Sequence, residues 1–218
     1  MNLNLLEINI KNLYAGDKLI LKNFKLNISD NKNITIIGKT GVGKSTLLKT
    51  LNLLNLKYEG YILYKNKNIL QYRPEELRSK IIMVIQETPL YGDTVLDDIT
   101  NIFKFKINHN KKFDMDKLKQ LLKIFLLPET ILNANPLNLS GGEKQRISLI
   151  KALLIEPEVL LLDEPSSALD KNTEKIISEY LLNIPIPKFI ISHSKIFTEK
   201  AEILIELLAN QTYNLIKK

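Results

Sequence analysis

The chain contains no cysteine. Disulfides, thiolate metal sites and cysteine nucleophiles are therefore excluded, and no oxidising compartment is required. No apolar run approaches the length needed to cross a bilayer. The opening Met1-Asn2-Leu3-Asn4-Leu5-Leu6-Glu7 lacks the basic-then-apolar layout of a secretion signal. The expectation is a chain that is soluble by itself and works in a reducing cytoplasm; any membrane crossing falls to another chain. Low-complexity tracts, internal repeats and sustained heptads are also missing, and the last argues against long coiled coils.

What is present suits one large α/β domain over residues 1–218, long enough to bury roughly 70% of its unfolded surface. The formal charge is +7. The lysines are scattered rather than gathered into a tract, so they read as a solvated surface and no nucleic-acid partner is expected. Residues 3–10 and 19–28 read as antiparallel strands around a turn at Ala15-Gly16-Asp17. Ile34-Thr35-Ile36-Ile37 reads as a strand. The Asp30-Asn31-Lys32-Asn33 turn precedes it. A helix follows from Lys44, with Leu47, Leu48, Leu51 and Leu54 on one face. Residues 81–85, 159–162 and 189–191 are apolar throughout, as strands covered on both faces of a parallel sheet are. Residues 87–139 change to helical spacing and read as an inserted helical subdomain, followed by a helix over 140–155 that Pro157 stops. Residues 202–208 and 212–216 are candidate closing strands.

Three segments carry chemistry. Gly38-Lys39-Thr40-Gly41-Val42-Gly43-Lys44-Ser45-Thr46 matches G-x-x-x-x-G-K-[ST] between a strand and a helix, the context that gives a phosphate-binding loop its meaning. Backbone N–H groups and the helix dipole hold the phosphates, Lys44 bridges the β- and γ-phosphates, and the Ser45 hydroxyl is a Mg²⁺ ligand. Val159-Leu160-Leu161-Leu162-Asp163-Glu164-Pro165 puts two acids at the ligand edge of a buried strand. Asp163 is placed to hold Mg²⁺ and Glu164 to polarise a water as general base. Alone this pattern is weak, since acids often cap a following helix. Leu139-Ser140-Gly141-Gly142-Glu143-Lys144-Gln145-Arg146 offers a serine cap and open glycine amides; a mere cap does not need two glycines that weaken the first turn.

Together these residues resemble the ATP-binding subunits of ABC transporters, along essentially the whole chain. The resemblance implies an ATPase with a mixed sheet, an N-terminal antiparallel β region and an inserted helical subdomain. It implies a homodimer formed on ATP binding, in which Ser140, Gly141, Gly142 and Gln145 of one subunit face the ATP held by the other. It also implies that Gln86 senses Mg²⁺, that the Ser167-Ala168-Leu169-Asp170 loop crosses the dimer interface, and that His193 binds the γ-phosphate and orients the water. Tyr14 lies where the family stacks an aromatic on adenine; packing is the competing reading. His109, in a polar stretch, reads as solvated. Ser194 stands where an aspartate often follows the histidine. With a short C-terminal stretch, no regulatory domain is expected. A permease subunit is expected to dock near residues 87–106 and to hold the chain at the cytoplasmic face of the inner membrane.

Gln86-Glu87-Thr88-Pro89-Leu90-Tyr91-Gly92-Asp93-Thr94-Val95, Leu127 to Leu132 and Leu139 to Ile150 resemble, more narrowly, the ATP-binding subunits of Fet-type bacterial iron exporters. Importer subunits for other small solutes share the machinery. A soluble DNA-acting ATPase of this type is disfavoured, because such proteins interrupt the domain with coiled coils or zinc modules. A non-hydrolysing switch is disfavoured because Glu164 and His193 are both present.

Overall fold

The structure, a computed structural model, describes residues 4–29, 31–86 and 89–217. Leu3, Asp30, Glu87 and Thr88 therefore lie outside the described residues, although the strand, turn and docking segment proposed above include them.

Two sheets form the frame. The first is antiparallel, in the order β2-β1-β4-β5, from β1 (Leu6–Ala15), β2 (Lys18–Ile28), β4 (Tyr58–Tyr64) and β5 (Lys67–Asn68). The second runs β10-β9-β3-β8-β7-β6, from β3 (Asn33–Ile37), β6 (Ile81–Val84), β7 (Val159–Asp163), β8 (Lys188–Ile191), β9 (Ile203–Leu207) and β10 (Tyr213–Lys217). Within it only the β9–β10 pairing is antiparallel. Strands β7 and β8 are buried at every position, as their unbroken apolar sequences require.

Helix α1 (Lys44–Leu51) packs between the two sheets through Leu47, Leu48 and Leu51, in one core with Ile8, Phe24, Ile36 and Phe189. Leu54 departs from the expected helix face. The helix ends at Leu51, Leu53 takes a left-handed backbone with φ of 55°, and Leu54 is exposed. The other face of the large sheet is covered by α4 (Met115–Ile124), α5 (Gly141–Leu154) and α6 (Lys171–Asn183), which bury Leu118, Leu122, Phe125, Ile147, Ile150 and Ile177. Short helices α2 (Pro74–Arg78), α3 (Val95–Asn101) and α7 (Lys195–Glu199) are the remaining α-helices among the described residues. The stretch between Pro89 and Leu139 holds α3, α4 and several single turns, a looser helical layer than a bundle. No helix among the described residues is long and apolar enough to cross a membrane.

Alternation explains the first sheet. Leu6, Ile8 and Ile10 point into the core while their neighbours are less buried. Because β1 continues to Ala15, it delivers the β1–β2 turn to the mouth of the cavity described below. The strand is five residues longer than its expected end at residue 10 because Asn12 and Leu13 still pair with both β2 and β4, and Tyr14 and Ala15 with β2.

At the opposite edge of the large sheet Lys188 is only 1% exposed. Its ammonium donates to Asn33 Oδ1 at 2.9 Å and to the Ile184 carbonyl at 3.0 Å. Burial lowers its pKa from 10.5 to about 8, and the nearby Glu202 carboxylate only partly offsets this. The folded-state pKa lies below the unfolded one, so the unfolded chain binds the extra proton between these values. Stability therefore rises with pH through the window from about 8 to 10.5, and the cost of the buried charge is fully present below it. Each pKa unit is worth about 1.4 kcal/mol, so the gain is bounded at about 3 kcal/mol. Denaturant titrations at pH 7.5 and 10 on wild type and Lys188→Met test this. The wild type should gain stability relative to the variant on going up; a constant difference means that Lys188 does not titrate there.

Candidate active site

Strand β3 ends at Ile37 and the chain turns through the glycine-rich loop into α1. Gly38 has φ of 142° and Gly43 has φ of 105°, both in the left-handed half of backbone space. Any Cβ would also collide, with the Leu207 carbonyl oxygen 2.5 Å from Gly38 and with Ile20 Cδ1 2.4 Å from Gly43. Glycine is required at both positions for conformation and for space. No side chain caps the N-terminus of α1, and its first turn has no acid. Its free N–H groups and the positive end of the dipole thus face the cavity.

That cavity measures about 820 Å³. Thr40, Gly41, Gly43, Lys44, Ser45 and Thr46 line it from the loop, Asp163 and Glu164 from the end of β7, and His193 from the end of β8. Gln86 and Ser167 also line it. Gly38, Lys39 and Val42 do not; they set the loop's course, and Lys39 and Val42 face a smaller depression toward Leu208. Lys44 is 9% exposed, and its ammonium donates to the Gly38 carbonyl at 2.7 Å and to the Lys39 carbonyl at 3.1 Å. The cation is thus held inside the curl of the loop.

Glu164 and His193 meet across the cavity, with Glu164 Oε1 and His193 Nε2 3.6 Å apart. Burial raises the Glu164 pKa above the usual carboxylate value, against the pull of His193 and Lys44. A carboxylate made more basic in this way is a better proton acceptor. Its backbone has φ of 51°, left-handed for a residue with a full side chain. The strain is held by neighbours: Glu164 N–H donates to the Ile191 carbonyl at 2.9 Å, and its carbonyl accepts from Gln145 Nε2 at 2.7 Å. Asp163 is buried at the last position of β7, paired with Ile191. Ser45, Gln86 and Asp163 together offer a hydroxyl, an amide oxygen and a carboxylate. This hard oxygen set suits Mg²⁺, which retains waters and phosphate oxygens as its other ligands.

The signature segment lies elsewhere. Ser140 caps α5 in a capping box: its hydroxyl accepts from Glu143 N at 3.3 Å, and Glu143 Oε2 accepts from Ser140 N at 2.9 Å. Ser140 and Gly141 are exposed, and none of Ser140, Gly141 and Gly142 lines the phosphate-loop cavity. Gly141 instead lines a separate depression of about 580 Å³ with Gln86, Ser167 and Ala168. Asp170 caps α6, accepting from Asn172 N at 3.0 Å and Thr173 N at 3.1 Å.

Two of the expected site residues have hydrogen-bond partners within the subunit. Tyr14 does not line the cavity; Ala15, Lys18 and Ile20 form the wall there. Its hydroxyl donates to Glu59 Oε1 at 2.9 Å, and Glu59 is held in turn by Asn12 at 2.8 Å. This charge-assisted bond ties the hydroxyl to β4. Gln145 lines the same depression as Gly141. It is 5% exposed, and both ends of its amide are used inside the subunit.

Other contributors escaped the sequence reading. Ser192, just before His193, was within reach because it occupies the same sheet edge. Glu174 had no such signal. It enters the cavity from the first turn of α6 and accepts from Ser166 Oγ at 3.0 Å. Behind the segment after Gln86, Asp98 is 3% exposed, accepts from Tyr91 N at 2.6 Å and pairs with Lys151 of α5 at 2.5 Å. That buried pair fastens α3 to the signature helix. His109 is exposed, as expected, with Nδ1 2.7 Å from the Lys106 carbonyl.

A phosphate loop at a parallel-sheet edge, an acid pair on the adjoining strand and a separate glycine-rich helix start define an ATP-hydrolysing cassette. A family model described as ABC transporter matches residues 21–167, and the chain belongs to that family as an ATP-binding, ATP-hydrolysing transporter subunit. It is 37% identical over 210 residues to the probable iron export ATP-binding protein FetA of Escherichia coli, covering 94% of this chain and 92% of that one. It is 38% identical over 182 residues to the phosphate import ATP-binding protein PstB 2 of Ligilactobacillus salivarius, covering 79% and 72%. Among solved structures, the dimeric post-hydrolysis state of the ATP-binding cassette MJ0796 bound to ADP and Pi matches with a TM-score of 0.81 and 27% identity. That match covers 97% of this chain and 98% of the other.

Proposed function

We propose that this subunit works as one half of an ATP-sandwiching homodimer that drives iron export through a separate permease. One observation carries the dimer. None of Ser140, Gly141 and Gly142 lines the phosphate-loop cavity, and Gly141 opens onto another depression, so a single copy does not close both segments around one nucleotide. The dimeric state of the MJ0796 cassette supports the same arrangement. Lys44 and the loop amides bind the phosphates. Ser45, Gln86 and Asp163 would hold Mg²⁺, which neutralises charge developing on the phosphoryl oxygens. Glu164 accepts the proton of the attacking water, with His193 beside it. Ser140, Gly141 and Gly142 of the second copy supply amides to the γ-phosphate, and Ser167 and Asp170 stand at the seam.

Iron as cargo is supported by the nearly full-length similarity to FetA. The similarity to PstB makes import the competing reading. Permease docking is supported by an apolar groove of about 470 Å³ lined by Arg78, Ile82, Ile102, Phe105 and Ile155, of which Ile102 and Phe105 belong to the expected docking segment. Phe105 in this groove is 61% exposed, and Tyr91, outside the groove, is 73% exposed. The test is co-purification of the chain with a polytopic membrane protein encoded beside it, and iron content in a deletion strain. Raised cellular iron supports export; unchanged iron with impaired phosphate uptake replaces it with import. Attachment to the cytoplasmic face of the membrane follows if Phe105→Asp releases the chain from the membrane fraction.

Tyr14 belongs to the packing reading on the strength of its bond to Glu59. Tyr14→Ala should leave nucleotide affinity within about twofold, against the roughly 1 kcal/mol or more that loss of an aromatic stack removes. Fluorescent-nucleotide titration decides; a tenfold loss restores the adenine stack.

A further inference from the structure

We propose that Gln145 is a positioning residue for hydrolysis: from the signature helix of its own subunit it holds the backbone of Glu164 and ties it to the interface loop. The inference rests on the reading of Glu164 as the general base. Gln145 sits one turn into α5, 5% exposed. Its Nε2 donates to the Glu164 carbonyl at 2.7 Å and approaches Ser167 Oγ at 3.4 Å. Its Oε1 accepts from Ala168 N at 3.1 Å. The amide orientation is fixed by its partners, because a backbone carbonyl only accepts and a backbone N–H only donates. One side chain thus satisfies two main-chain groups that flank the turn from strand β7 to the interface loop.

The location matters because Glu164 is held in a left-handed conformation, φ of 51°. Such a backbone persists only when its surroundings over-determine it. Ser167 Oγ also donates to the Glu164 carbonyl, at 3.1 Å. The contact between α5 and the loop is close as well as bonded: a Cβ on Gly142 would lie 2.9 Å from the Ala168 carbonyl oxygen. The second signature glycine, two residues after the Ser140 cap, is therefore required by its own subunit's loop. Any shift of α5 when Ser140–Gly142 engage the partner's nucleotide is transmitted through Gln145 to the carboxylate that serves this subunit's own ATP.

The test uses the full chain and measures steady-state hydrolysis and fluorescent-nucleotide binding. Gln145→Glu keeps the size and the acceptor for Ala168 but presents an oxygen to the Glu164 carbonyl. It should lower kcat by about tenfold to a hundredfold, the scale of a small misplacement of a reacting group, with the nucleotide dissociation constant little changed. In the Glu164→Gln background the same substitution should cost nothing further, because the group it positions is gone. Gln145→Met, without either hydrogen bond, replaces Gln145→Glu if the latter does not fold. An equal loss in both backgrounds, or a loss in binding rather than kcat, overturns the proposal. If Glu164→Gln alone loses turnover and neither Gln145 variant does, this inference fails and the general-base reading stands. If Glu164→Gln turns over normally, both fall.

Discussion

Glu164→Gln lowers ATP turnover by about 10²–10⁴-fold and leaves ATP bound, the loss expected when a general base becomes a neutral amide of the same size. The geometry explains why binding survives. Glu164 meets the cavity from the end of β7, while the groups proposed to hold the phosphates are the loop before α1 and Lys44. The glutamine keeps the shape and the main-chain bonds of Glu164 to Ile191 and Gln145. It also removes the negative charge facing Lys44 and Asp163, which favours a trapped ATP state. The pH profile adds a second readout. Burial raises the Glu164 pKa, and the base must be ionised to act. The acid limb of kcat in the wild type should therefore lie above the ordinary carboxylate range, with activity falling as pH drops through it. The variant's residual rate should lack that limb. Phosphate release across pH measures both; normal turnover, or an unchanged acid limb, removes Glu164 from the role of base.

Lys44→Ala weakens ATP binding by roughly ten- to a hundredfold, in line with the loss of a hydrogen-bonded charge at about 1.5–3 kcal/mol. Two effects add. The ammonium that would bridge the terminal phosphates is lost, and so are its bonds to the Gly38 and Lys39 carbonyls that hold the curl of the loop. The second effect predicts a penalty for ADP too, smaller than for ATP because no γ-phosphate is involved. Calorimetry with both nucleotides separates the terms. Equal affinity of variant and wild type for ATP would leave the phosphate-loop assignment without support.

Most of the fold was legible because its signals are local. Apolar runs at 159–162 and 189–191 became buried strands, and the antiparallel hairpin, the helix from Lys44 and the closing strands all formed. Boundaries moved where packing, not composition, decided. Leu54 was assigned to the α1 face by spacing alone, yet the helix stops at Leu51. Strand β4, whose residues Tyr58–Tyr64 carry charge and glycine among the aromatics, had no clean pattern and drew its order from pairing with β1.

By itself the sequence determined the chemistry: the phosphate loop, the Asp163–Glu164 pair and the serine-capped glycine pair are contiguous, and contiguous residues carry their backbone geometry with them. Only the tertiary structure decided which of these share a cavity and which side chains serve whom. It separated Ser140–Gly142 from Gly38–Thr46, drew Tyr14 to Glu59, brought Glu174 in from α6 and turned Gln145 inward to Glu164. Those outcomes depend on contacts between segments far apart in the chain, and no spacing along the chain encodes where two such segments meet.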